Sequence, residues 1–152
     1  MSLASILLID DDEAIRKSIS KALEKAGYKV DTARNGKQAL EMSTLRIYNL
    51  ALVDIRLPDM EGTKLLNAMK ETTPKMIKII LTGYPALQNA IDAVNKGADS
   101  YLTKPVNIDE LLRVIRKHLE KQSSESKFGE QNINQFVETR LRQLASEETD
   151  KK

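Results

Sequence analysis

A chain of 152 residues, 41% hydrophobic and 30% charged, suits one globular domain with a sizeable core plus a modest extension, and no run approaches the eighteen or so apolar residues of a membrane span. The net charge of +2 is too small to point to nucleic acid or anionic lipid, and no signal-peptide pattern precedes the first apolar run, so a cytoplasmic protein without membrane attachment is expected. With no cysteine and a single histidine, His118, disulfides, thiolate sites, thiol nucleophiles and histidine metal clusters are excluded.

Apolar runs alternate with helical patterns along the chain. Ile6 to Ile9 is uninterrupted, the pattern of a strand covered on both faces, and it runs straight into Asp10-Asp11-Asp12-Glu13. Ala14, Ile15, Ile19, Ala22, Leu23 and Ala26 then recur at mostly three- and four-residue spacing, which predicts an amphipathic helix stopped by Gly27. Tyr28 to Ala33 predicts a second strand, more polar and so at an edge, and Asn35-Gly36 turns the chain into a helix over about 37–46. Leu50 to Val53 predicts a third strand ending on Asp54; after the loop from Arg56 to Gly62, a helix carries Leu65, Leu66 and Met69. Met76 to Leu81 predicts a fourth strand ending on Thr82-Gly83, and a helix over roughly 86–96 stops at Gly97. Asp99 to Thr103 predicts a short fifth strand before Lys104-Pro105, and a helix from near Asn107 turns Leu111, Leu112, Ile115 and Leu119 inward. Five successive βα units predict a doubly wound α/β fold, a parallel sheet with helices on both faces and right-handed crossovers.

The tail has a different composition. Residues 120–131 are polar and serine-rich, a linker pattern, and Ile133, Phe136, Val137, Leu141 and Leu144 then lie on one stripe of a further helix. The expected division is a domain over 4–120 and a linker with an amphipathic C-terminal helix over 121–152.

Ligands of open α/β sheets bind beyond the carboxyl ends of the strands. The predicted strands deliver Asp10, Asp11 and Asp12, then Asp54, Thr82 and Lys104 to that edge. Acids suit a helix N-terminus, and Asp12 is assigned to capping the first helix. Asp10 and Asp11 facing Asp54 make a strongly negative pocket whose mutual repulsion would raise carboxylate pKa values. Hard oxygen donors without His or Cys suit Mg²⁺, which can bridge carboxylate and phosphoryl oxygens. Asp54 is then placed as an oxygen nucleophile towards phosphorus, with Lys104 and the Thr82 hydroxyl on the remaining phosphoryl oxygens. His118, near the end of its helix, reads as a surface residue favoured by the helix dipole.

Four stretches in register, Ile9 to Asp12, Val53 to Gly62, Leu81 to Gly83 and Gly97 to Pro105, resemble the receiver domain of two-component response regulators over about residues 4–120. The resemblance implies a chemotaxis-regulator-like, flavodoxin-like fold, with five strands in the order 2-1-3-4-5 and five helices. It implies Asp54 as phosphoacceptor from a sensor histidine kinase or a small acyl phosphate, in a signalling domain that catalyses only its own phosphorylation and slow dephosphorylation. Mg²⁺ would be held by Asp11, Asp54, the backbone carbonyl of Arg56 and, through water, Asp10. Lys104 and Thr82 would contact phosphate, Thr82 and Tyr101 would form a switch pair, and Pro105 would follow a cis peptide bond. The output surface would be the fourth helix, fifth strand and fifth helix. Leu57-Pro58-Asp59-Met60-Glu61-Gly62 departs from the family's Met-Pro-x-Met-Asp-Gly by conservative changes only. Arg56 and Tyr84 sit two residues after Asp54 and Thr82, positions that tune phosphate lifetime in this family, and bulky residues there predict slow loss of phosphate.

Other functions fit less well. A flavodoxin-like nucleotide binder needs a Gly/Ser/Thr-rich phosphate loop where this chain has acids. An aspartyl phosphatase of the haloacid dehalogenase type needs a second Asp two residues after the nucleophile, where this chain has Arg56. The tail is too short for a typical helix-turn-helix domain with its own core, so direct nucleic-acid binding is not expected. The chain then reads as a stand-alone receiver whose tail docks on a partner or on itself, or as a fragment of a larger transcription regulator or hybrid kinase.

Overall fold

The computed structural model describes residues 3–69, 72, 75–83, 97–125 and 140–142. In chain order the elements are β1 (Ser5–Ile9), α1 (Glu13–Lys25), β2 (Lys29–Ala33), α2 (Gly36–Leu45), β3 (Leu50–Asp54), α3 (Gly62–Ala68), β4 (Ile77–Thr82) and β5 (Ser100–Thr103), followed by helical residues 108–125. All four strand pairings are parallel, in the order β2-β1-β3-β4-β5. The predicted α/β class and strand order are therefore observed, with strand starts shifted by one residue at Ser5, Lys29, Ile77 and Ser100. The helix predicted over 86–96 lies outside the described residues.

Successive side chains of a strand point to opposite faces, so the uninterrupted apolar runs feed two cores. Ile6 and Leu8 share one face with Leu50, Leu52, Ile77, Ile79 and Leu81, packed under Ile19 and Leu23 of α1 and under Leu111 and Ile115. Leu7 and Ile9 share the other with Ala51, Val53 and Ile80, packed under Ala39 of α2 and Leu65 and Leu66 of α3. The register Ile6↔Leu50 and Leu50↔Ile77 keeps each set on its own side. Among the described residues β2 pairs only with β1, and it carries exposed Lys29 and Thr32, which suits an edge.

Helix starts are set by side-chain acceptors. Asp12 is the N-cap of α1 and accepts from the Ile15 N–H at 3.1 Å. Past the end of α1, Gly27 takes φ +100°, a conformation that costs glycine nothing. Asn35 caps α2, accepting from the Gln38 N–H at 2.8 Å. The two preceding donors of α2, the N–H groups of Gly36 and Lys37, are held by Asp59 from the β3–α3 loop, at 2.8 and 2.9 Å.

The chain divides into two compact units, Met1–Leu119 and Glu120–Lys152. In the second, residues 120–125 and 140–142 are helical and Leu141 is exposed, while Ile133, Phe136, Val137 and Leu144 lie outside the described residues. No helix among the described residues is long and apolar enough to cross a membrane.

Leu52, fully buried at the centre of the sheet, is expected to cost about 3 kcal/mol on replacement by Ala. The exposed Leu45 should cost less than about 0.5 kcal/mol, both read from urea unfolding. Asp59 has its own pH signature. The amides of Gly36 and then Lys37 hold its carboxyl below its ordinary value of 3.8. A depressed folded-state pKa contributes stability that is complete above the unfolded value and is lost as pH falls through the folded one. The stability gap between wild type and Asp59→Asn should thus be flat at neutral pH and close only below that ordinary value, measured by thermal unfolding across a pH series.

Candidate functional site: an acidic pocket closed by a lysine

β1 and β3 are neighbours with Ile9 opposite Val53, so the residues that end them, Asp10 and Asp54, emerge side by side. Asp10 is fully buried and Asp54 nearly so. A buried carboxylate needs hydrogen-bond donors or a counter-charge. Asp10 Oδ1 accepts from the Asp12 N–H at 2.9 Å, and Asp54 Oδ1 accepts from the Arg56 N–H at 3.2 Å. The other two oxygens share one ammonium: Lys104 Nζ lies 2.7 Å from Asp10 Oδ2 and 3.1 Å from Asp54 Oδ2.

Lys104 follows β5, two strands away from β3, and its backbone is pinned by its N–H donating to Thr82 O at 2.7 Å. The Lys104–Pro105 peptide bond is cis. Thr82, the last residue of β4, is buried. In the register Ile80↔Tyr101 and Thr82↔Thr103, Thr82 and Tyr101 project from the same face of the sheet, and Tyr101 is 41% exposed. Asp11 is exposed at the mouth, and carboxylate oxygens of Asp10, Asp11 and Asp54 all lie within 4.8 Å of one another.

The charges are unequal in their comfort. Burial raises the Asp54 pKa above the ordinary carboxylate value, against the hydrogen bonds from Lys104 and the Arg56 amide, and repulsion from Asp10 adds least. The expected rise from mutual repulsion is present, but as the smallest contribution, and burial is the largest. Burial works to lower the pKa of Lys104, but hydrogen bonds to Asp10 and Asp54 outweigh it and hold the ammonium above its ordinary value. The donor set is hard, anionic oxygen on a short perimeter, which fits a divalent cation of the Mg²⁺ or Ca²⁺ type.

The loop after Asp54 is tight. Gly62 N–H donates to Ile55 O at 2.7 Å, Leu57 N–H to Met60 O at 3.1 Å, and Arg56 bridges Glu61. A Cβ on Gly62 would collide with the Asp54 carbonyl oxygen and reach Ile55 Cα at 3.0 Å, so only glycine lets the loop close behind the aspartate. The Arg56 side chain is exposed, and Tyr84 lies outside the described residues. His118 is half-buried in helix 108–125.

Two participants were missed in the sequence. Arg16 Nη1 donates to the Asp10 carbonyl at 2.7 Å, six residues back, a reach set by the strand-to-helix turn and by no local spacing rule. Asp59 appears in the sequence only as part of a motif, and its hold on α2 is a tertiary contact.

Lys104→Met would leave two buried carboxylates with no ammonium. It should cost about 3 kcal/mol at neutral pH. The loss should shrink on acidification: the Asp54 pKa, already raised, rises further, and the variant's folded state then gains protons that its unfolded state does not hold. Urea unfolding at neutral and mildly acid pH checks both statements.

Against known proteins, the family model for the response regulator receiver domain matches residues 6–116. A CheY-like receiver domain protein of Methanospirillum hungatei is 45% identical, with a TM-score of 0.77, covering 82% of this chain and 99% of that one. A Burkholderia pseudomallei response regulator solved with a phosphorylated aspartic acid, a calcium ion and citrate is 30% identical, with a TM-score of 0.70, covering 80% of this chain and 72% of that one. The Escherichia coli regulatory protein AtoC is 33% identical over 118 residues, 78% of this chain but 26% of AtoC. The chain spans 26% to 60% of the length of the curated relatives first matched. A parallel sheet in this order, two aspartates and a lysine meeting at its carboxyl edge, and a family match over most of the chain agree: the chain belongs to the response regulator receiver domain family.

Proposed function

We propose that residues 4–120 are the phosphoacceptor domain of a two-component system, in which Asp54 takes a phosphoryl group from a sensor histidine kinase. The observation that carries this is the ammonium of Lys104 set between Asp10 and Asp54 at 2.7 and 3.1 Å, with Asp11 beside them. Asp11, Asp54 and the Arg56 carbonyl would hold Mg²⁺, with Asp10 reaching it through water. When bound, the ion offsets the negative charge of the acids and of the incoming phosphoryl oxygens.

A carboxylate oxygen of Asp54 forms the new bond to phosphorus. The phosphorus–nitrogen bond of the kinase phosphohistidine breaks, and the imidazole leaves with the bonding electron pair and takes up a proton. Asp54 must be ionised to attack, and Lys104 favours that form against burial. Lys104 and the Thr82 hydroxyl then face the phosphoryl oxygens of the acyl phosphate. Movement of Thr82 towards the phosphoryl group would let Tyr101, now partly exposed, turn inward and so change the surface formed by β5, the helical residues 108–119 and the helix predicted over 86–96. The Burkholderia relative, solved with a phosphorylated aspartic acid and a calcium ion, supports a covalent aspartyl-phosphate state and a divalent cation in this family. An apolar hollow of about 300 Å³ beside Lys104, lined by Ile15, Ile19, Pro105 and Val106, suits apolar side chains of the kinase.

A second reading concerns the output. The chain covers a quarter of AtoC, which favours a receiver that works as part of a larger transcription regulator over one that acts alone. Residues 121–152 would then be a linker and amphipathic helix that joins the receiver to an effector or pairs two copies.

Acetyl phosphate with Mg²⁺ should add one phosphoryl group per chain by mass spectrometry. Chelation of the metal or Asp54→Asn should abolish the adduct. An adduct that persists in Asp54→Asn overturns the assignment, and continuous phosphate release without an adduct points to a phosphatase. Replacing Arg56 and Tyr84 together by small residues should hasten phosphate loss, read from the decay of the adduct.

A further inference from the structure

Asp10, Asp11, Asp54 and Lys104 converge on the pocket. Here the hydrogen bonds also run around it. Starting at Asp10, its N–H donates to Ala33 O, the end of β2, at 3.1 Å. Two residues on, Asn35 and Gly36 open α2. The N–H groups of Gly36 and Lys37 are gripped by the two oxygens of Asp59. Asp59 is at the tip of the loop that begins on Asp54, and the loop's own Arg56 N–H returns to Asp54 Oδ1 at 3.2 Å. Lys104 closes the ring from Asp54 back to Asp10.

From this circuit we infer that Asp59 is a positioning residue for the pocket: by clasping the first turn of α2 it holds the Asp54–Gly62 loop at the height where the Arg56 backbone faces Asp54. The inference rests on the reading of the pocket as a cation-assisted phosphoacceptor and names a residue that shapes it without touching it.

Three features make the clasp more than a helix cap. Asn35 already caps α2 in the ordinary way, taking the Gln38 N–H, so α2 has its own local acceptor. Asp59 is bidentate and ionised, and charge-assisted bonds to backbone N–H at a helix N-terminus are stronger and more directional than neutral ones. The clasp also works on a loop that has few alternatives: Pro58 restricts the tip, and Gly62 closes its base against the Asp54 carbonyl. Met60, the residue after Asp59, lies over Gly36, where an added Cβ would meet its side chain at 2.5–2.8 Å. Loop and helix therefore meet through polar and apolar contacts, and the Asp59 pair sets the loop's height to within hydrogen-bond tolerance.

The discriminating comparison is Asp59→Ala against Asn35→Ala in the full chain. Both remove an acceptor from the start of α2, so both should lower thermal stability; only the first releases the loop. Mg²⁺ affinity is read by titration of amide NMR shifts, and exchange of the Arg56 amide is read in metal-free protein. Asp59→Ala should weaken Mg²⁺ binding by about ten-fold, the size of effect seen when a group that orients a metal ligand is lost. It should also speed Arg56 amide exchange by about ten-fold as the loop opens locally. Asn35→Ala should leave both within about two-fold, and Asp59→Asn, with one carbonyl oxygen left to accept, should fall between. Equal effects of Asp59→Ala and Asn35→Ala, or an Asp59→Ala protein indistinguishable from wild type, would overturn the inference. If wild-type protein binds no Mg²⁺, the phosphoacceptor reading fails, and the clasp is then decided by the metal-free exchange rates: faster in Asp59→Ala than in Asn35→Ala supports it, equal rates overturn it.

Discussion

One ammonium between two buried carboxylates organises this protein. Asp10 and Asp54 end adjacent strands whose apolar residues are fully covered, and the same packing that stabilises the sheet removes these acids from water. Burial of an unpaired carboxylate is unfavourable enough to force its protonation, and a protonated Asp54 would be a poor nucleophile. Lys104 answers that problem from the far side of β4, on a stem long enough to span the strand end. Asp10, Asp11 and Asp54 against one Lys104 leave the pocket acidic, a donor set that suits a divalent cation.

The fold makes this arrangement cheap in sequence terms. Asp10, Asp54, Thr82 and Lys104 stand at or just past the ends of β1, β3, β4 and β5 on the same edge, because parallel strands bring all their carboxyl ends together. Side-chain alternation then divides labour between faces. Thr82 and Tyr101 fall on the face of α2 and α3, while α1 and the helical residues 108–119 cover the other. Thr82 pairs with Thr103, and Tyr101 is the next residue along the same face of β5, so the switch proposed for this pair would need no long pathway to an exposed side chain.

The loop from Asp54 to Gly62 shows how a site can depend on residues that never enter it. Gly62 is required by its contact with the Asp54 carbonyl, and Asp59 by its hold on α2. Neither carries chemistry. Both decide where the Arg56 backbone lies, and a shift of a fraction of an ångström is large on the scale of a hydrogen bond or a metal–oxygen bond.

Much of this was legible from residue order. The apolar run from Ile6 to Ile9, the helical spacing from Ile15 to Leu23 and the punctuation by Gly27, Asn35 and Gly97 specify βα alternation, because periodicity and turn chemistry are local properties of the chain. From alternation follows a parallel sheet, and from a parallel sheet the meeting of Asp10, Asp54, Thr82 and Lys104 at one edge. Asp12 as a cap could be read for the same reason: a cap and its donor are three residues apart. What tertiary structure alone decided was the balance of charge and the contacts across loops. Asp54 is perturbed by burial more than by its acidic neighbour, since the depth of a carboxylate and the seat of a lysine fifty residues away depend on how strands and helices pack. Asp59 on Gly36 and Lys37, and Arg16 on the Asp10 carbonyl, belong to the same class: their partners are chosen by the folded geometry, and no period in the sequence encodes them.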